Sequence, residues 1–318
     1  MSVVINGKVA NLGNYLSLTK GYSPDIQDEV RSAVLDDTPI GVYVDKCKDD
    51  SFKLNQIRLA IREYVPTRYL STRLSATNIK QIRRVFREGL DLKFLDTYLS
   101  SRGILSISCE SLDLILSAYL DGVDVDKVNF TQIREDTVDL FCSGLKKGYP
   151  MWVLSNADAS IPRNKVTLLM KCMNLNLDIH PFLDKSWDLQ SINLIAVNAS
   201  KLEYTVLMKH VNSRFSYGQL SQVISVATEW LDFLPLCLKD EDGVPIFNEY
   251  QMDVLGRIIK FNAKQETLGK GIIDIEEFLN PSMSDMDMQD LFDKRVSEIT
   301  SEEGRVLSGK LPKARKKN

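Results

Sequence analysis

Ten Lys or Arg residues against three acids stand between Lys53 and Lys93, so this segment carries +7 in a chain whose net charge is −3. Arg58 and Arg62 are four apart, and so are Arg83 and Arg87, the spacing that puts two side chains on one helix face. A guanidinium is planar and permanently charged, and it grips a phosphate or a carboxylate through two parallel N–H donors. Those four groups, extended by Arg31, flanked by Arg84 and with Tyr64 and Tyr69 close by, would form a docking ridge for phosphates or for an acidic protein patch. The same spacing also describes a solvated helix face, neutralised in part by Glu63, Glu88 and acids of the next unit. A basic tail (Lys310, Lys313, Arg315, Lys316, Lys317) would add unspecific attraction to nucleic acid or serve solubility alone.

Other chemistries fare worse. Two histidines, His180 and His210, have no Cys or His at metal-ligand spacing. Asp240, Asp242, Gly243 and Glu249 fit four positions of a calcium loop, but Leu238 occupies the place of its first carboxylate. Gly269-Lys270 lacks the earlier glycine of a phosphate loop, and no Gly-x-Ser-x-Gly turn occurs. The five cysteines are widely spaced and read as buried free thiols of a reducing cytosol. The sequence thus offers no catalytic residue, metal or cofactor and points away from an enzyme. Trp152, Trp187 and Trp230 sit near segment ends, either as packing residues or as exposed anchors of a protein interface.

The elements that must carry the ridge repeat. Lys53–Leu70 laid over Asn78–Leu95 aligns Gln56-Ile57-Arg58 with Gln81-Ile82-Arg83, and Arg62, Glu63, Leu70 with Arg87, Glu88, Leu95, at an offset of 25 residues. Ile79, Ile82, Val85, Phe86 and Leu90 follow helical spacing. Gly89 ends that helix in the left-handed conformation, and Asp91 is placed to cap a shorter second helix through Leu95. The corner recurs at Gly122-Val123-Asp124, Gly148-Tyr149-Pro150, Asn176-Leu177-Asp178, Lys201-Leu202-Glu203 and Trp230-Leu231-Asp232, with Glu29-Val30-Arg31 as an upstream copy of Gln-Ile-Arg. Periods of this size usually mean stacked supersecondary units. The fold expected is therefore all-α, a degenerate α-solenoid-like array of eight or nine helix-turn-helix units.

Gln-Ile-Arg with Gly-Leu-Asp resembles the short helical repeats of the "EIRxGLxxGLDVxxY" kind, found in proteins of Gram-positive bacteria, their phages and mobile elements. The pattern departs from that family at Val65-Pro66 and Lys201-Leu202-Glu203, where no glycine stands at the corner. The resemblance implies an interaction scaffold without catalytic residues. The domain reading is an N-terminal cap over 1–22, the array over 23–270, an acidic helical segment over 271–303 and a basic disordered tail over 304–318. Val3-Val4-Ile5, Asn6-Gly7 and Lys8-Val9 carry hairpin chemistry, the alternative being a loop into a first helix at Leu12. One helix is predicted from Tyr250 to Asn262 and another from Asp285 to about Ile299. No apolar run reaches the roughly 20 residues of a membrane span, and no signal peptide is evident, so a cytoplasmic location is expected. The function predicted is non-enzymatic docking on a protein partner, as a phage or mobile-element regulator or inhibitor. Nucleic-acid binding through the arginine ridge is the alternative.

Overall fold

Asn6 and Gly7 both take left-handed backbone angles (φ 48° and 74°), the geometry of the tight turn that suits strand twist. They join β1 (Val4–Ile5) to β2 (Lys8–Val9) in the antiparallel hairpin that opens the computed structural model. The structure describes residues 3–100, 103–157 and 161–309. Among these the chain is mostly helical, and it divides into two compact bodies, up to Thr167 and from Leu168.

In the N-terminal body the hairpin is followed by α1 (Tyr15–Leu18), α2 (Pro24–Leu35), α3 (Gly41–Val44), α4 (Ser51–Arg62), α5 (Ala76–Arg87), α6 (Cys109–Leu120), α7 (Val138–Lys146) and α8 (Met151–Ala157). Successive long helices pack side by side: α2 on α4, α4 on α5, α5 on α6, α6 on α7. Each buries one stripe, such as Leu54, Ile57 and Ala60 on α4 and Ile79, Ile82 and Val85 on α5, all with no exposed surface. Full burial of a Leu or Ile contributes about 1.5–3 kcal/mol, so a handful of such residues per helix dominates the stability of this body. Helix α9 (Arg163–Asn174) contains the division. The C-terminal body continues with α10 (Leu189–Asn198), α11 (Tyr204–His210), α12 (Tyr217–Ala227), α13 (Glu249–Thr267) and α14 (Asp285–Gly309), where α12 packs on α13 and α13 on α14.

The corners obey one rule. Asp37, Tyr64, Gly89, Gly122, Gly148, Asn176, Trp230 and Gly269 are all left-handed. The amide of the residue after each returns to a carbonyl five residues back, as in Leu90 N to Val85 O (3.1 Å), Leu177 N to Cys172 O (3.0 Å) and Leu231 N to Val226 O (3.4 Å). This closure satisfies carbonyls that a helix end would leave orphaned. Lys201-Leu202-Glu203 departs from the sequence reading. There α10 runs into a 3-10 turn (Ala199–Lys201) and Leu202 is extended, with no left-handed residue.

The predicted short second helix is also corrected. After Gly89-Leu90 the Asp91 carboxylate accepts from Lys93 N (2.9 Å), and the chain forms a 3-10 turn over Lys93–Thr97. Asp178 and Asp232 do the same for the 3-10 turns His180–Leu183 and Leu234–Cys237. An Asx turn caps only two residues on, and Phe94, Leu95, Phe182 and Leu236 must then enter the core at once, which leaves no length for an α-helix. At the C-terminus α14 starts at Asp285 as expected but continues to Gly309, past the boundary set for the disordered tail. An internal glycine such as Gly304 costs a helix only about 1 kcal/mol and does not end it. The tail cations Lys310, Lys313, Arg315, Lys316 and Lys317 lie outside the described residues.

Candidate docking surface

The arginine ridge divides into buried and exposed members. Arg58 is buried: its Nε donates to Glu29 (2.9 Å) and its Nη1 to Asp36 (2.5 Å), on the neighbouring helix α2 and its C-cap. Arg83 is buried one helix later, gripping both oxygens of Glu63 (2.9 and 2.5 Å) and donating to Gln56 Oε1 (2.6 Å). In each case the arginine reaches the position that begins Gln-Ile-Arg on the helix before it, and the acid at that helix's C-terminal cap. Tyr69 is buried too, its hydroxyl accepting from Arg68 Nη2 (2.6 Å) with the guanidinium 4.7 Å above its ring. These three side chains are packing elements and present little to a partner.

Arg62, Arg84 and Arg87 are half-exposed or more. Arg62 is 3.2 Å from Asp36, Arg87 3.9 Å from Glu63, and Arg84 pairs with Glu88 on its own helix at 2.9 Å. Arg31 is exposed with no ionic partner among the described residues. The buried pairing stops at α6 for a reason visible in the sequence. Arg58 and Arg83 stand eight residues after their N-caps, Asp50 and Ser75, whereas the residue eight after the N-cap Ser108 is Leu116. Glu88 therefore keeps Arg84, and Gln81 Oε1 is buried without a hydrogen-bond partner among the described residues.

Two recurring devices escaped the sequence reading. One is an acid at or just after a helix C-cap, where the helix dipole alone disfavours it. It takes a cation from the helix packed beside it: Asp36 from Arg58, Glu63 from Arg83, Asp121 from Lys146 (2.5 Å), Glu229 from Lys260 (2.6 Å). The other is an amide three residues after an N-cap. Asn78, Gln219 and Gln251 each accept from their N-cap amide and donate to the entrance of the next helix: Cys109 O (2.9 Å), Phe247 O (2.7 Å) and Met283 O (2.7 Å). The signal was legible as capping boxes at Ser75-x-x-Asn78, Ser216-x-x-Gln219 and Asn248-x-x-Gln251.

Two corners carry bulky aromatics where glycine or asparagine is favoured. Tyr64 (φ 64°) is 86% exposed and Trp230 (φ 62°) is 67% exposed. A left-handed L-residue with a large side chain costs about 1–2 kcal/mol, and exposure returns no burial to offset it. Tyr64 is flanked by Arg62 in sequence and by Arg87, which approaches the adjacent Glu63. Trp187 is instead buried edge-on to Phe182 at 5.3 Å, and Trp152 lies under Lys127 Nζ at 5.3 Å.

In the loop that partly matches a calcium-binding pattern, Asp240 Oδ1 accepts from Asp242 N (3.0 Å) and Val244 N (2.8 Å), so it caps its own turn. His180 Nδ1 lies 2.6 Å from Asp178, and that contact holds the Asp178 carboxyl below its ordinary range. No cluster of three His, Cys, Asp or Glu able to hold a metal occurs among the described residues. No described helix is long and apolar enough to cross a membrane. Burial pushes the thiols of Cys142 and Cys237 up to about 12 and Cys172 to about 11, and raises Cys47, while Cys109 is half-buried. Thiolate is the reactive form, so Ellman's reagent at pH 8 should titrate one thiol readily and four only after denaturation. A Cys109→Ser variant that keeps a fast thiol would contradict this assignment.

Comparison of the chain with protein-family models, with curated proteins and with solved structures finds no match.

Proposed function

We propose that the chain is a non-enzymatic binding protein whose helices form an α-solenoid-like repeat array, and that it docks on a protein partner as a regulator or inhibitor. The resemblance of its Gln-Ile-Arg and Gly-Leu-Asp elements to repeats of phages and mobile elements makes such an element its expected source. The recurring cap-to-helix bonds between successive helices support the array, because each helix is fixed by its neighbours in sequence.

The observation that carries the binding reading is the Tyr64 corner. An exposed tyrosine held at an unfavourable backbone angle, two residues from the half-exposed Arg62 and next to the Glu63 that Arg87 approaches, costs stability and contributes nothing to the core. Tyrosine and arginine are the side chains that most often anchor protein interfaces. Nucleic-acid binding is the second reading, favoured by the exposed Arg31, Arg62, Arg84 and Arg87. Against it, the last three each already lie beside a carboxylate, which lowers the positive potential a phosphate backbone would meet.

The test places a photo-crosslinking phenylalanine at position 64 in the full chain. A discrete protein adduct is expected, lost when Arg62 and Arg87 are changed to Glu. Tyr64→Gly relieves the backbone cost, so it should raise stability by about 1 kcal/mol while abolishing partner binding. Failure of position 64 to crosslink protein, together with salt-sensitive binding of labelled DNA or RNA lost in the same double variant, would move the assignment to the second reading.

A further inference from the structure

The second aromatic corner has chemistry of its own. A cavity of about 140 Å³ in the C-terminal body is lined by Leu202, Glu203, Leu207, Trp230, Leu231 and Phe233, with Ala227 at its wall. That volume suits one side chain and excludes a helix or an extended segment. The side chains that line it are apolar apart from Glu203 and the polar edge of the indole, and polar atoms make up close to half of its wall. Glu203 occupies the N-cap of α11, yet its carboxylate makes no capping bond. It is exposed and has no ionic partner among the described residues. The neighbouring acids are already engaged: Glu229 holds Lys260 at 2.6 Å, and Asp232 accepts from Leu234 N at 3.0 Å. Lys201, two residues from Glu203, is exposed and does not line the cavity. An open carboxylate thus shares a small cavity with an exposed indole held at a backbone angle that tryptophan rarely adopts.

We propose that this corner receives an arginine side chain of a protein partner, its guanidinium stacked on Trp230 and paired with Glu203, its methylene stem in the cavity. The proposal rests on the protein-binding reading above and names the chemistry of a second contact. A guanidinium is flat, so it covers the indole face and still offers two donors at its edge to a carboxylate. An ammonium meets one demand or the other less well, because it is a strongly hydrated point charge. An apolar side chain would leave Glu203 beside hydrocarbon without compensation, and an acidic one would meet both the carboxylate and the electron-rich ring face.

The indole N–H signals of the three tryptophans allow a direct test on the full chain by two-dimensional NMR, with the Trp230 signal assigned from Trp230→Gly. Glycine is favoured at this backbone angle, so that variant keeps its fold. Titration with Nα-acetyl-arginine amide should move the Trp230 signal saturably and leave those of Trp152 and Trp187 in place. Nα-acetyl-citrulline amide, the same shape without the charge, should leave all three unmoved. Glu203→Gln should weaken the arginine response by about threefold or more, as loss of a charge-assisted bond requires. A Trp230 signal that does not respond, that responds equally to citrulline, or that is indifferent to Glu203→Gln would overturn the proposal. If Trp230 is silent while position 64 still crosslinks to protein, this contact fails and the protein-binding reading stands. If neither responds, both fail.

Discussion

Arg83→Ala is expected to destabilise the N-terminal body by about 3 kcal/mol, the cost of removing one partner from a buried, hydrogen-bonded ion pair. The substitution leaves the Gln56 side-chain oxygen without its donor and the Glu63 carboxylate with only the longer Arg87 contact at 3.9 Å, both groups accepting from Arg83 across the α4–α5 contact. Arg84→Ala is the control. It lies one residue along the same helix, but its pair with Glu88 is exposed on both sides, and exposed pairs of this kind contribute about 0.3–0.5 kcal/mol. The cost of Arg83→Ala comes largely from an acid left with only the distant Arg87, so combining Arg83→Met with Glu63→Gln should recover most of it. Urea unfolding gives the magnitude, and hydrogen exchange on α4 and α5 assigns it to this body. Equal effects of Arg83→Ala and Arg84→Ala would mean that Arg83 is a solvated surface charge and no packing element.

This contrast shows what the sequence could and could not convey. Two arginines four residues apart share a helix face, and that much is legible in Arg58/Arg62 and Arg83/Arg87. Which of the pair meets solvent is decided by acids that lie upstream on the previous helix, Glu29 and Asp36 for Arg58, Glu63 for Arg83. A local charge count over Lys53–Lys93 leaves Glu29 and Asp36 outside the window and so overstates the ridge. The corners were easier, because Gly89, Gly122, Gly148 and Asn176 carry their backbone preference in their chemistry. Tyr64 marks a corner that no local propensity favours, since no glycine stands before Val65-Pro66 and only the 25-residue offset sets Tyr64 over Gly89. Trp230 was placed at a corner by spacing alone, and its exposure follows from geometry that spacing does not give. The division near Thr167 falls inside α9, where no linker composition announces it.

The second large effect is expected at Gly41, the first residue of α3, and it concerns how the first helices of the N-terminal body are closed. A Cβ built there would collide with the backbone carbonyl of Val4, on the inner edge of the hairpin. Backbone cannot rotate aside as a side chain does, so Gly41→Ala must push β1 outward. Val3 and Ile5 are each 1% exposed, and unseating both forfeits up to about 3–6 kcal/mol of burial. Position 41 has no intrinsic need for glycine. Gly41 does not have a positive φ, and alanine favours a helix over glycine by about 1 kcal/mol. Deleting residues 1–10 should therefore destabilise the protein by itself, and Gly41→Ala placed on that deletion should be neutral or slightly stabilising. Thermal unfolding of the four chains, full-length and truncated with Gly or Ala at position 41, measures the coupling as a double-mutant cycle. If Gly41→Ala costs the same with and without residues 1–10, hairpin contact is not what demands glycine. If its cost disappears with them, the hairpin packed on α3 is what demands glycine, and its seated Val3 and Ile5 close the apolar face there. That is the role a terminal cap plays when each repeat buries its face only against its neighbours.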